Sequence, residues 1–377
     1  MTDATLAAGE RRVAWVDAAK GLCIILVVMV HATIGVEIAA GERGFMHAIV
    51  AWARPFRMPD FFLISGLFLA LTIDRPWRRY LDRKVVHFVY FYLLWLTIQF
   101  AFKAPEMAVE AGDWTAPLAG WVEALWQPFG TLWFIYVLPV FFVFTRLVRG
   151  LPVWFVLAWA AILEALPVHT GSIVFDEFAQ RYVFFFIGYV FAPHVLSFAA
   201  AVARRPGIAI VGLAGWGLVN GVLVFTPSPE ALGFLIQGEI GDTGATGGLS
   251  ELPGVSLVLG LAGALAIVAT AALVARAPWA AWLRWLGEHS IVVYLAFFLP
   301  MAATRIVLVQ TGLVPDVGLM ALLTTAAGIA GPAVLYALVR WSGRGQFLFE
   351  RPAWASIERG SVRTRAGQGP EGIPRAP

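Results

Sequence analysis

The side chains in this sequence that chemistry can use are few, and most of them stand in apolar surroundings. His31 lies in a run of Val, Ile, Met and Ala. An imidazole there can take a proton, give one, or hydrogen-bond a neighbouring helix. Packing and proton transfer are both open for this residue taken alone. Arg57 and Asp60, in Phe56-Arg57-Met58-Pro59-Asp60, stand three apart and can pair across one helical turn. An ion pair at the outer interface and contact with a substrate both fit that spacing. Arg75, Arg78, Arg79, Arg83 and Lys84 put five cations into ten residues. Such a cluster sets topology or binds anionic lipid, and its density also suits the phosphates of a large anionic cofactor. Glu164, Arg181, Glu288, His289 and Arg305 are isolated polar positions, each readable as a helix-to-helix contact. No cluster has metal-ligand spacing, no Gly-rich loop follows a strand, and no nucleophile elbow is present. Any chemistry has to be assembled from separate helices.

Positioning such groups falls to the apolar segments. Of the 377 residues, 60% are hydrophobic and 14% are charged, where a soluble domain carries about 25% charged residues. Crossing a bilayer core takes about 20 apolar residues, and stretches of that length recur from end to end. Sheet alternation is absent, and a spanning segment must satisfy its own backbone, so helices are the workable solution. Ten stretches emerge, at 21–38, 55–73, 84–102, 129–148, 151–167, 181–200, 207–226, 252–275, 287–309 and 317–340. The sequence therefore predicts an all-α integral membrane protein of about ten transmembrane helices. It divides into an N-terminal segment 1–20, a membrane domain 21–341 and a tail 342–377. His31 follows Lys20 by eleven residues, about 16 Å at the helical rise, which puts it near the midplane if Lys20 marks the inner boundary. The first stretch reads as a retained anchor, because Glu37 stands where a cleavage site would lie. Cys23, the single cysteine, reads as packing, and Ser65-Gly66 as a close helix contact.

Basic residues test this layout, because cytoplasmic loops retain positive charge. Of the 27 Lys and Arg, 21 fall on one side, among them the cluster at 75–84, Arg146, Arg149 and the arginines from Arg340 onward. The other side receives Arg43, Arg54, Arg57, Lys103, Arg181 and Arg305, together with ten acids. That alternation predicts an even number of spans with both termini in the cytoplasm, in a multi-pass protein of the cell (inner or plasma) membrane. The positive charge then serves topology, so membrane lipid is an expected partner and nucleic acid is not. Segment 103–128, with Trp114, Trp121 and Trp126 among acids, reads as a piece lying at the interface. Segment 226–253 reads as an outer loop, flexible over 238–248, and 360–377 as disordered. Neither an internal repeat nor Gly/Pro-broken paired spans are expected, which speaks against a transporter.

Trp15-Val16-Asp17-Ala18-Ala19-Lys20-Gly21, an apolar run and then His31 closely resemble the opening of the membrane-bound acyltransferase family 3, O-acyltransferases that modify sugars and glycans. A basic residue, usually Arg, separated from a His by ten residues marks that family, and Lys20 and His31 have the spacing. Phe56-Arg57-Met58-Pro59, Phe61-Phe62 and Ser65-Gly66 resemble a second signature, and Arg79, Arg83 and Lys84 a third. Gly130-Thr131-Leu132-Trp133-Phe134 and Gly287 to Tyr294 resemble later family segments, so the likeness runs from about Val13 to Trp341. Departures are Lys20 for the commoner Arg, Arg57 where many relatives have His, Asp60 where an apolar residue is usual, and no His after Tyr294.

The resemblance implies acyl-CoA, acetyl-CoA in the first place, as co-substrate without a metal. Its phosphates would lie against Arg78, Arg79, Arg83 and Lys84, with Lys20 orienting the cofactor. His31 would act as general base or transient acyl carrier, and Arg57 and Asp60 would line the side of a carbohydrate or glycolipid acceptor. A proton-coupled transporter and a non-catalytic polysaccharide-export subunit stay as alternatives.

Overall fold

The computed structural model describes residues 14–229, 231–232 and 248–357. The expectations for 238–247 and for 360–377 lie outside the described residues. Regular structure among the described residues is helical, with one isolated bridge between Pro227 and Gly248.

Helix α1 (Ala14–Ala40) is the hub. Short α2 (Met46–Ala53) leads to α3 (Arg57–Leu67). Helix α4 (Trp77–Leu81) passes through a π-helical turn, Asp82–Val86, into α5 (His87–Ala111). Then follow α6 (Ala116–Glu123), α7 (Trp133–Val148), α8 (Val153–Ala165), α9 (Ile173–Val190), α10 (Ala192–Arg204) and α11 (Pro206–Phe225). The last five are α12 (Val255–Val274), α13 (Ala281–Glu288), α14 (Ser290–Ala296), α15 (Phe298–Thr311) and α16 (Val317–Ser342). Asp316 caps α16 by accepting the Leu319 N–H at 2.6 Å.

Helix α1 packs against α3, α12, α13 and α16, and α3 against α9. These contacts are made at glycines. A Cβ on Gly287 of α13 would stand 1.7 Å from the Asp17 carbonyl oxygen, and one on Gly21 of α1 would stand 2.3 Å from that of Leu283. Gly66 of α3 and Gly188 of α9 are matched in the same way, each 2.1 Å from a backbone oxygen of the facing helix. The close contact expected at Ser65-Gly66 is therefore present, and it works as small residues do in membranes, by letting backbones touch.

Six helical runs are long and apolar enough to cross a membrane, and eight if each of two bent pairs is one span. The difference from the expected ten lies in α8 and α3, of 13 and 11 residues. Eleven residues rise about 16 Å, roughly half a hydrocarbon core. Two expected stretches are broken. The stretch at 181–200 straddles a 76° bend between α9 and α10, and 287–309 contains a 50° bend between α14 and α15. Pro193 and Pro300 lie just beyond these breaks, and a proline ring clashes with the carbonyl four residues earlier. The expectation of no broken spans is thus overturned. The third stretch is longer than 84–102, one helical run over Trp77–Ala111, so Arg78, Arg79, Arg83 and Lys84 of the basic cluster ride on the helix itself. Helix α6 has no buried residue, and its Trp121 donates to Thr97 Oγ1 at 3.2 Å.

Candidate functional site

Along α1, Lys20, Cys23, Val27 and His31 face two neighbouring cavities. The larger, about 150 Å³, is lined by Lys20 and Cys23, by Ile64 and Ser65 of α3, Phe88 of α5, Leu138 of α7, and Ser290 and Ile291 of α14. The smaller, about 20 Å³, is lined by Val27, His31, Met58, Thr131 and Trp133. Phe61, Phe134 and Tyr294 border both. A space of about 20 Å³ admits one water or one hydroxyl. The buried Tyr294 hydroxyl donates to the Thr131 carbonyl and fixes the common wall. The His31 ring lies 5.6 Å from that of Phe297, tilted by 32°.

The basic cluster meets the larger cavity at its Lys20 end. Lys84 sits 4.2 Å over the Phe142 ring, within electrostatic reach of Lys20 and Arg75, and Phe88 one turn on reaches the cavity wall. Arg79 and Arg83 are exposed, and the exposed Arg78 donates to the Ile357 carbonyl at 2.8 Å. Arg146, read from sequence only as a topological charge, is buried with its guanidinium over Trp77 (4.1 Å) and Tyr80 (4.5 Å). Exposed guanidiniums on one helix with a half-buried ammonium are a donor set that phosphate oxygens can bind.

The π-helical turn that carries Arg83 and Lys84 is clamped by the chain's own tail. Asp82, at its start, receives Arg351 Nη2 at 2.5 Å, Ser356 Oγ at 3.1 Å and the Ile357 N–H at 2.7 Å, while Arg351 Nη1 reaches the Asp82 carbonyl at 2.8 Å. A π turn shifts the ladder by one residue and loosens its carbonyls, and such turns cluster at functional sites. Nothing in the sequence signals the clamp beyond one acid among five bases. Arg351→Ala leaves a buried carboxylate short of its charged partner, and a loss of about 3 kcal/mol in stability is expected in thermal unfolding of the purified protein.

Arg57 and Asp60 lie in the interior, 6% and 0% exposed, not at an exposed rim. The Cys23 thiol and the Phe61 N–H are the polar groups facing the Asp60 carboxylate, with Arg57 acting on it through space. Cys23 therefore packs, as expected, but also borders the Lys20 cavity. Among the weaker positions, Arg181 pairs with Glu177 at 3.2 Å, and His289 stacks 4.5 Å from Trp285 while bonding its carbonyl. Both serve packing. Sequence reasoning missed Tyr294 and Phe61 as the shared wall, although both stand in segments it singled out. Among the described residues, no group of three His, Cys, Asp or Glu could hold a metal ion.

A helical protein with six to eight apolar spans and such a buried polar site is a multi-pass membrane protein. Residues 13–339 match the family described as an acyltransferase domain, acyltransferase family 3, and the chain belongs to that family. It is similar to the inner membrane protein YcfT of Escherichia coli (strain K12), 28% identical over 174 residues, which are 39% of this chain and 48% of that protein. The chain thus matches about half the length of this relative. No solved structure matches it.

Proposed function

We propose that this acyltransferase-family protein moves an acyl group, acetyl in the first place, from acyl-CoA to a hydroxyl of an envelope carbohydrate or glycolipid. What supports the reading is one arrangement: a cavity lined by Lys20 and a hydroxyl-sized cavity lined by His31 that share the wall of Phe61, Phe134 and Tyr294. Acyl-CoA, whose thioester supplies the activated acyl group, lies with its phosphates on Arg78, Arg79, Arg83 and Lys84. Lys20 orients the donor. Arg57 and Asp60, on the helix whose Met58 and Phe61 line the His31 cavity, serve the acceptor side. His31 takes the proton of the acceptor hydroxyl as its oxygen attacks the thioester carbonyl. The C–S bond then breaks, and His31 returns the proton to the departing thiolate, so the products are an ester and free CoA thiol. Both termini and the basic cluster are cytoplasmic in this reading, across about ten passages of the inner membrane, which gives the site access to cytoplasmic donor and external sugar.

The test is purified protein in nanodiscs with radiolabelled acetyl-CoA and an envelope carbohydrate extract. Release of CoA thiol with label on carbohydrate is expected. No thioester cleavage with acetyl or longer donors would overturn the reading. Arg83→Ala is expected to raise the KM for acyl-CoA about tenfold, with added salt doing the same to the wild type. The broken helix pair α14 and α15 beside the site favours one second reading, a proton-coupled transporter. That protein would move substrate into proteoliposomes with no acyl donor present.

A further inference from the structure

Beyond His31, on the side away from Lys20, lie two cations that the donor site does not use. Gly35 stands one turn after His31 on α1, and Arg305 of α15 fills the space its side chain would take. The Arg305 Nη1 is 2.6 Å from where a Cβ on Gly35 would stand. Lys103 of α5 is close enough to Arg305 for the two charges to act on each other. Its ammonium lies 4.8 Å from the Phe129 ring centre and 5.1 Å from that of Phe298. Both cations are half-buried, and neither makes a hydrogen bond or ion pair among the described residues. Glu106 and Glu110, exposed on α5, also act on Lys103 through space, Glu106 more strongly than Arg305 does, but neither pairs with it.

These groups are continuous with the His31 cavity. Phe298 follows Phe297, whose ring lies beside His31, and Phe129 leads through Gly130 to Thr131 in the cavity wall. Two half-buried like charges held together are unfavourable until an anion joins them. A guanidinium fork beside a compact ammonium is the pairing that carboxylate and phosphate oxygens bind best. One helical turn, about 6 Å, separates Gly35 from His31, close to the width of a sugar ring. An anion held at Arg305 would leave a hydroxyl of the same ring at the imidazole.

We infer that Arg305 and Lys103 form an oxyanion site for the acceptor, and that the preferred acceptor is a sugar or glycolipid bearing a carboxylate or a phosphate. The inference rests on the acyl-transfer reading for the role of the bound sugar. Its test separates binding from transfer. Wild type, Arg305→Gln, Lys103→Gln and the double variant, in nanodiscs of neutral lipid, are titrated with methyl glucoside, methyl glucuronide, glucose 1-phosphate and inorganic phosphate. Thermal stabilisation reads binding, and radiolabelled acetyl-CoA reads transfer.

The glucuronide or the sugar phosphate is expected to bind at least about tenfold tighter than the glucoside, in a salt-sensitive way. Their comparison decides between carboxylate and phosphate. The double variant is expected to lose that preference, with its KM for acetyl-CoA unchanged. Lys103→Gln is expected to lose part of it, which guards against misfolding at Arg305. Equal binding of neutral and anionic sugars, a preference that survives in the double variant, or inorganic phosphate binding as tightly as sugar phosphate would each overturn the acceptor site. Thioester turnover without anion preference defeats this inference alone, whereas anion preference without turnover defeats the transfer reading and leaves the site.

Discussion

His31→Ala is expected to lower the rate of acyl transfer about 10³-fold while leaving thermal unfolding and donor affinity unchanged. The imidazole stands in a space that holds one hydroxyl, next to the compartment that Lys20 enters, so its removal takes away the only base in that lining. Its ring lies 5.6 Å from that of Phe297, a contact of modest worth for stability. The measurement is single-turnover release of CoA thiol from acetyl-CoA by wild type, His31→Ala and His31→Gln. Wild-type rates in both variants would remove His31 from the chemistry. A rate loss matched by an equal fall in thermal stability would make it a packing residue.

The second large effect concerns folding. Gly287→Ala is expected to destabilise the protein by about 3 kcal/mol or more, beyond the usual cost of overpacking, because the new methyl meets backbone that cannot rotate away. The Asp17 carbonyl oxygen would be 1.7 Å from it and the Gly21 nitrogen 2.8 Å. Relief requires α13 to move off α1, which carries Ser290 and Tyr294 of α14 away from Lys20 and opens the larger cavity. Activity and thermal stability are therefore expected to fall together. Gly215→Ala on α11 is the contrast, since nothing lies within 4 Å of its Cβ position. There the change is expected to be neutral or stabilising by up to about 1 kcal/mol. Equal behaviour of the two variants in thermal unfolding would show that the α1–α13 contact is looser than its geometry.

Much of the site was legible because ionisable residues inside apolar helices have few explanations. Lys20, His31 and the bases at 75–84 stood out by chemical type alone, and the structure puts Lys20 at one cavity, with Lys84 within its electrostatic reach, and His31 at the next. Arg146, Asp82 and the Arg305–Lys103 pair were not legible. Arg146 looked like any inner-end arginine, and its aromatic cage comes from Trp77 and Tyr80 on another helix. Asp82 gains its meaning from Arg351 and Ile357, some 270 residues later in the chain. Arg305 and Lys103 were counted as separate charges, and only the approach of α5 to α15, seen in Lys103 over the Phe298 ring, makes them neighbours.

The sequence by itself determined the class of protein, the helical composition and the order of apolar segments, because hydropathy and loop charge are local quantities that a bilayer sorts one segment at a time. It also determined that α1 would carry the histidine eleven residues beyond the lysine. Tertiary structure decided which apolar stretches run straight and which break, because a proline's effect depends on whether neighbouring helices reward the bend. It decided as well that α3 is a short buried helix, since burial is conferred by the helices around it, and hydropathy cannot tell lipid from protein as the apolar partner.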